Sequence, residues 1–124
     1  MAYLYGAVER HPETRKLRMW YQSYYRPKDK KNVVNVMCLA ESTDGIHWKY
    51  PTLGLIPDAR GSKQNNMIMS TLTHSGFDEC ITPTRDLHAK DPDKRYRSLF
   101  WANSQGYRGT YSAWSPDGVR WFTS

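Results

Sequence analysis

Two carboxyl groups are the first candidates for chemistry in this chain of 124 residues. Asp86 directly follows Arg85, and Glu79 directly precedes Cys80. Paired carboxyl groups can act as the acid and the base of a reaction, provided that both reach the same cavity. These two lie seven positions apart in what reads as one strand, so their side chains would point to opposite faces. At most one of them can act in a given site. Asp86 is the better candidate, and its alternative role is a turn carboxylate paired with Arg85.

Several amide and aromatic side chains are candidates for ligand binding. Asn65 and Asn66 are adjacent and could hydrogen-bond a polar ligand, although Asn pairs also serve turns. Trp20 and Trp101 could each offer a flat platform, and the alternative for both is packing in a core. Among the histidines, only His88 lies near the candidate aspartate, and its alternative is a solvent-exposed side chain.

No metal or cofactor motif accompanies these residues. None of the four histidines has His-x-x-x-His spacing, and the sequence contains no nucleotide-binding loop or catalytic-triad signature. Cys38 and Cys80 are too far apart for a zinc knuckle. Each lies in an apolar run, which is typical of a buried free thiol, and a disulfide between them stays open. We therefore expect no cofactor and no metal.

The elements that would position these residues occur twice in the chain. Residues 41–48 and 114–121 share the pattern Ser-x-Asp-Gly-aliphatic-basic-Trp. An Asp-Gly pair favours a tight turn, because both residues tolerate positive φ. Upstream, residues 12–20 parallel residues 92–100 at an offset of about 80 positions, which matches Trp20 with Phe100. Two matched elements in the same order predict an internal repeat. Repeats of short strands are typical of propeller blades.

Alternating apolar patterns predict strands throughout, and no amphipathic helical window exceeds two turns. The sequence therefore predicts an all-β fold of two four-stranded antiparallel propeller-like blades, a partial β-propeller. A single domain would comprise repeat one (2–50), a connecting segment (51–78) and repeat two (79–124). The predicted strands are 3–9, 17–24, 33–41 and one ending near Trp48, then 80–87, 95–102, 109–114 and 119–123. Pro83 removes a ladder donor from the fifth of these, which predicts an edge or a bulge there.

Composition and charge narrow the classes of function. The net charge is +6, and its densest run is residues 26–31 in a predicted hairpin tip. Such a run is typical of a solvated loop, and no nucleic-acid-binding motif accompanies it, so nucleic acid is not favoured as a partner. No apolar run approaches a membrane span, which predicts no membrane partner. The start of the chain has no signal-peptide pattern, and the default expectation for localisation is the cytoplasm.

Two longer segments carry a resemblance to a known family. Residues 39–55, followed by Gly61-Ser62-Lys63-Gln64-Asn65-Asn66, resemble bacterial glycoside hydrolase family 32-like proteins. Those belong with the five-bladed β-propellers of glycoside hydrolase families 32 and 43. Residues 91–97 and 115–121 are similar to the same group. The Gly-Ser-Lys-x-Asn-Asn segment is the most distinctive part, and the likeness covers nearly the whole chain, which spans about two blades.

The resemblance implies a carbohydrate-directed protein. Family enzymes carry three acids on separate blades around a central funnel, one of them an Asp after Arg and one a Glu before Cys. Asp86 and Glu79 match these two types, in the reverse of the family order. The resemblance therefore implies glycan binding through Asn65, Asn66, Arg85, His88, Asp86 and a tryptophan. Hydrolysis would require acids from different subunits to meet. The alternative is a non-catalytic protein-interaction module.

Two blades alone predict association between copies. Each blade would expose an apolar sheet face and unpaired strand edges, and surfaces of this kind normally contact a partner. Repeat units that cannot bury their faces alone associate with further units. We therefore expect a homo-oligomer.

Overall fold

The computed structural model describes residues 2–28, 33–74, 77–79, 81–104 and 106–123. These residues form two antiparallel sheets and no α-helix, which confirms the predicted all-β fold with two sheets. No described helix is long and apolar enough to cross a membrane. The strands are β1 (Ala2–Arg10), β2 (Leu17–Tyr25), β3 (Val34–Ser42), β4 (Met67–Ser70), β5 (Phe77–Glu79), β6 (Thr84–Arg85), β7 (Tyr96–Ser104), β8 (Tyr107–Ser115) and β9 (Phe122–Thr123).

The first sheet has the order β1-β2-β3-β4. Its β2–β3 hairpin pairs without a break from Leu17 opposite Ser42 to Tyr25 opposite Val34. Every second residue of β2 from Arg18 to Gln22 is buried, as expected for a strand with one face in a core. β3 is almost wholly buried, because both of its faces are covered.

The fourth strand of the first sheet does not follow the Asp-Gly turn, so this prediction was wrong. After the turn, only Lys49 bridges to Glu41, and the chain leaves the sheet. Pro51 lacks the amide hydrogen that a further ladder bond would need. The strand that completes the sheet is β4, which comes from the predicted connecting segment and pairs with residues 36–38 of β3.

The second sheet has the order β5-β7-β8-β9, with β6 also paired to β7. The prediction of one continuous opening strand at 80–87 was wrong. Two short strands, β5 and β6, pair with β7 in its place. Pro83 lies between the two pieces, consistent with the loss of a ladder donor at that position. Cys80 lies outside the described residues.

The hydrogen-bond register corrects the sequence match between the repeats by one position. Leu17 pairs with Ser42, and Tyr96 pairs with Ser115, so Leu17 and Tyr96 are equivalent. Trp20 is therefore equivalent to Leu99, whereas the sequence match placed it with Phe100. A shift of one position exchanges the two faces of a strand, so this correction decides how the sheets stack.

Each sheet has an inner face that meets the other sheet and an outer face that does not. The inner face of the first sheet carries Trp20 and Leu39, and that of the second carries Tyr96 and Phe100. Because Trp20 is equivalent to Leu99 and Leu17 to Tyr96, the inner face of one sheet corresponds to the outer face of the other. The two sheets thus stack head to tail, with no two-fold relation between them.

Candidate functional site

The predicted site residues lie in four separate places. Asn65 and Asn66 line a cleft on the outer face of the first sheet. Arg85 and Asp86 line a smaller cavity where the ends of the two sheets meet. The tryptophans are elsewhere, since Trp20 lies in the core between the sheets and Trp101 on the outer face of the second sheet. The exposed His88 lies beside Asp86. The structure therefore does not gather these residues into one site.

The two tryptophans differ in access to a ligand. Trp20 is 2% exposed, and its Nε1 donates a hydrogen bond of 2.7 Å to the Gly118 carbonyl of the other sheet. It is a contact between the sheets. Trp101 is 41% exposed, and only this tryptophan of the pair offers a surface to solvent.

An ion cluster that sequence analysis missed holds Arg85. Glu9 Oε1 accepts hydrogen bonds of 2.9 Å from Arg85 Nη2, Arg18 Nη2 and the Tyr96 hydroxyl. The Arg85 and Arg18 groups also lie 2.6 Å and 2.9 Å from the Tyr96 oxygen. Arg18 is 4% exposed, and its Nη1 donates to the Asp117 carbonyl. The cluster joins the two sheets through charge-assisted hydrogen bonds.

The electrostatics of the cluster favour an ionised Glu9. Burial by itself would raise the pKa of the Glu9 carboxyl. The hydrogen bonds from Arg18, Arg85 and Tyr96 outweigh burial and hold this pKa below its ordinary value. Two arginines share one carboxylate here, so the arginine charges are engaged in linking the sheets.

The candidate carboxylates are differently placed. Asp86 Oδ1 accepts a hydrogen bond of 2.9 Å from the His88 backbone N–H, and its Oδ2 forms an ion pair with Arg97 Nε at 3.0 Å. Its partner is therefore Arg97, whereas the sequence suggested Arg85 for a structural role. Glu79 ends β5, and its side chain lies outside what the structure describes.

The cavity at the junction of the sheet ends has a volume of about 360 Å³. Its lining carries three carboxylates, from Glu13, Asp86 and Asp117, and two arginines, Arg85 and Arg95. Arg85 is paired with Glu9, and Asp86 with Arg97. Asp86, the candidate acid in this cavity, therefore already has one backbone hydrogen bond and one ion-pair partner.

A cleft of about 710 Å³ lies at the Tyr25 end of the first sheet. We call it the tyrosine cleft, because Tyr21, Tyr24 and Tyr25 of β2 all line it. Its other lining residues include the apolar Val36, Cys38 and Met67 and the polar or charged Arg26, Lys28, Asp58, Arg60, Asn65 and Asn66. Residues 29–32 of the basic loop next to it lie outside the described residues.

The two asparagines hold the connecting segment that forms one wall of the tyrosine cleft. Asn65 Nδ2 donates to the Ile56 and Ser62 carbonyls, and its Oδ1 accepts the Met67 N–H. Asn66 Nδ2 donates to the Leu39 carbonyl at 2.8 Å and to the Tyr21 hydroxyl at 2.9 Å. The asparagines thus shape the wall, and a substitution at either would disturb it.

One tyrosine hydroxyl in the tyrosine cleft lacks a hydrogen-bond partner within the described part of the chain. The Tyr25 hydroxyl is buried and, among the described residues, makes no hydrogen bond. Burial, and then the charge of Asp58, raises the pKa of Tyr25. Burial also raises the pKa of Tyr21 to about 12. Both hydroxyls therefore remain protonated at neutral pH and can donate a hydrogen bond.

The thiol in the tyrosine cleft is not a nucleophile. Cys38 is a buried free cysteine, as its apolar sequence context predicted. Burial raises its pKa to about 12, so the reactive thiolate is scarce at neutral pH. The described residues also contain no group of three or more His, Cys, Asp or Glu side chains that could hold a metal ion. The chemistry available in this cleft is hydrogen bonding and aromatic contact.

Comparison with known proteins found no match to this chain among protein-family models, curated proteins or solved structures.

Proposed function

We propose that this protein is a glycoside-hydrolase-like propeller unit that binds a carbohydrate in the tyrosine cleft. A sugar ring presents apolar C–H groups on its faces and hydroxyls around its rim. Binding sites for small polar ligands combine aromatic contact area with a few fixed hydrogen-bonding groups. The tyrosine cleft has both, from its three tyrosines and from Asp58 and Arg60. Its volume lies within the range of about 300–1,000 Å³ that is usual for ligand pockets.

The observation that carries this proposal is the unpartnered Tyr25 hydroxyl. A buried polar group without a hydrogen bond destabilises the free protein by about 1–3 kcal/mol. A sugar hydroxyl could supply the missing partner, because it both donates and accepts hydrogen bonds. The lining also carries Asp58 and three basic side chains, Arg26, Lys28 and Arg60, which can hydrogen-bond the hydroxyls of a saccharide.

The proposal is that the protein binds a saccharide, and hydrolysis of that saccharide would need further conditions. Asp86, the better candidate acid, accepts a backbone hydrogen bond at one oxygen, forms an ion pair at the other and lies outside the tyrosine cleft. A role in hydrolysis would require its ion pair with Arg97 to open. It would also require a second acid, which for assembled copies could come from another subunit.

Titration of a panel of neutral oligosaccharides against wild type and Tyr25→Phe tests the proposal. This variant removes the hydroxyl without removing a hydrogen bond within the described protein. Tyr25→Phe should therefore fold at least as stably as wild type and bind the saccharide about 5- to 10-fold more weakly, the loss of one hydrogen bond of about 1–1.5 kcal/mol. Isothermal calorimetry gives the affinity, and urea unfolding gives the stability.

Tyr107→Phe is the matched control, because Tyr107 is exposed and lies outside the tyrosine cleft. It should bind as wild type does. Absence of binding across the panel, or unchanged affinity in Tyr25→Phe, would contradict the proposal. A chromogenic glycoside assay on concentrated protein tests hydrolysis separately.

A second candidate function is protein interaction without catalysis. It is favoured by Leu99, Trp101 and Phe122, which are exposed on the outer face of the second sheet. The two functions can be separated, because saccharide binding would depend on Tyr25 and interaction on Leu99.

A further inference from the structure

Two groups of exposed residues occupy positions whose equivalents in the other repeat are buried. On the outer face of the second sheet, Leu99 is 58% exposed, whereas the equivalent Trp20 is 2% exposed. In the first Asp-Gly turn, Ile46 is 78% exposed, whereas the equivalent Val119 packs against the core. The chain therefore buries one member of each equivalent pair and leaves the other open.

Trp20 contacts the turn that precedes Val119, and this contact lies at the interface between the sheets. Arg18 Nη1 donates to the Asp117 carbonyl at 2.8 Å, and Trp20 Nε1 donates to the Gly118 carbonyl at 2.7 Å. Gly118 lies so close to Trp20 and Arg18 that a Cβ atom would come within 2.8 Å and 2.9 Å of them. An arginine and a large apolar side chain of one sheet thus cover the Asp-Gly turn of the other.

The exposed members reproduce the two halves of this interface. Arg97 is equivalent to Arg18, and Leu99 to Trp20, on the outer face of the second sheet. The Asp44-Gly45 turn has the same construction as the buried one, since Gly45 N–H donates to Ser42 Oγ at 2.8 Å and Gly118 N–H to Ser115 Oγ at 2.8 Å.

The two glycines of these turns also share a left-handed backbone, with φ of 79° at Gly45 and 78° at Gly118. Among the described residues, no side chain of the second sheet covers the Asp44-Gly45 turn. The Asp44-Gly45 turn therefore has the backbone shape of the Asp117-Gly118 turn but, in the described residues, lacks the arginine and the large apolar side chain that cover the latter.

We propose that a second copy of this chain docks head to tail, with Arg97 and Leu99 of one copy over the Asp44-Gly45 turn of the next. A second copy is the occupant that fits, because each copy carries both halves of the contact that already joins its own sheets. Phe122 and Trp101 extend the apolar area on one side, and Ile46 extends it on the other.

The docking surface leaves the tyrosine cleft accessible. The Asp44-Gly45 turn follows the Ser42 end of β3, whereas the tyrosine cleft lies at the Val34 end of the same hairpin. The inference does not rest on carbohydrate binding, and either proposal can fail without the other.

Head-to-tail docking is heterologous, and it forms a ring when the rotation between neighbouring copies closes. Closed propellers contain about four to eight blades, which corresponds to roughly two to four copies of this two-sheet chain. Each copy in such a ring would cover its Ile46 side with the Leu99 side of a neighbour.

A mixing experiment with two variants tests this arrangement. Leu99→Asp disables one half of the contact, and Ile46→Asp disables the other; both positions are exposed, so each variant should keep the circular dichroism spectrum of wild type. In sedimentation velocity, wild type should form closed oligomers, and each variant alone should be monomeric. An equimolar mixture should form a one-to-one dimer. The Leu99→Asp variant keeps an intact Ile46 side and the Ile46→Asp variant keeps an intact Leu99 side, so one contact can still form between them.

Leu87→Asp is the matched control, since Leu87 is 83% exposed and lies outside both halves. It should assemble as wild type does. A monomeric wild type at its highest soluble concentration would overturn the proposal. Assembly of either single variant alone, or a mixture that stays monomeric, would overturn it as well.

Discussion

At the scale of single residues, two equivalent glycines show how the same turn serves two surroundings. Gly45 and Gly118 both have a left-handed backbone, which costs a residue with a Cβ about 1–2 kcal/mol. A Cβ at Gly118 would also collide with the buried Trp20 and Arg18, whereas a Cβ at Gly45 would come within 3.1 Å of the Leu17 side chain only.

We therefore predict unequal losses of stability from the same substitution. Gly118→Ala should lower the free energy of unfolding by roughly 1–3 kcal/mol more than Gly45→Ala, because overpacking adds to the backbone strain. Urea unfolding of both variants checks this difference. Equal losses would mean that the contact between the sheets is looser than the structure shows.

Glu9 makes the stability of the fold depend on pH. The hydrogen bonds of the cluster hold the pKa of this carboxyl below its ordinary value of 4.5, although burial opposes them. A group whose pKa is lower in the folded state contributes stability above its unfolded pKa and loses it as the pH falls through the folded value. Stability should therefore decline as the pH falls below 4.5, and Glu9→Gln should flatten this part of the profile.

Urea midpoints measured from pH 7 to acid conditions check the prediction for Glu9. Glu13→Gln is a suitable control, because Glu13 is exposed and forms no ion pair among the described residues. A Glu9→Gln profile that runs parallel to that of wild type would show that other carboxyls govern acid unfolding.

At the scale of elements, the tryptophan after each Asp-Gly turn is equivalent in position and unequal in burial. Trp121 Nε1 donates to the Gly118 carbonyl and Trp48 Nε1 to the Gly45 carbonyl, at 3.0 Å and 3.2 Å. Trp121 is 5% exposed in the core, whereas Trp48 is only half-buried. Trp121→Ala should cost about 3–5 kcal/mol, as expected for a buried tryptophan, and Trp48→Ala clearly less. Thermal and urea unfolding in the background of the monomeric Leu99→Asp variant check this order, and equal losses would contradict it.

The sequence predicted the hairpins well, because their signals are local. Alternating apolar residues and Asp-Gly turns place β2, β3, β7 and β8 within a few residues of their observed bounds. Of the outer strands of the first sheet, β1 was predicted within one residue of its bounds, whereas the fourth strand was placed wrongly. β4 pairs with β3 only after the chain has left the sheet and returned, and local patterns contain no information about such a return.

The candidate site was predictable only in part, for a related reason. Asn65 and Asn66 are conspicuous in the sequence, and the structure places them at the wall of the tyrosine cleft. Glu9, Arg18 and Tyr96 meet across two sheets, and their meeting depends on a register one position away from the sequence match. A pairwise match between repeats cannot fix a register to one position, so the ion cluster was missed.

At the scale of the whole molecule, one geometric relation links the core to both proposals. The inner face of each sheet is equivalent to the outer face of the other, so the contact inside the chain is also a template for contact between chains. The tyrosine cleft lies away from that contact. Monomeric Leu99→Asp should therefore bind saccharide with the affinity of wild type, and calorimetry with this variant checks the independence of the two surfaces.

The central functional claim is that saccharide binds in the tyrosine cleft, and amide chemical-shift mapping by NMR tests it most directly. Titration with a saccharide that binds should shift the amide resonances of Tyr21, Tyr25 and Asp58 and leave those of Arg85 and Asp86 unchanged. Shifts confined to Arg85 and Asp86, or no shifts at saturating saccharide, would contradict the account.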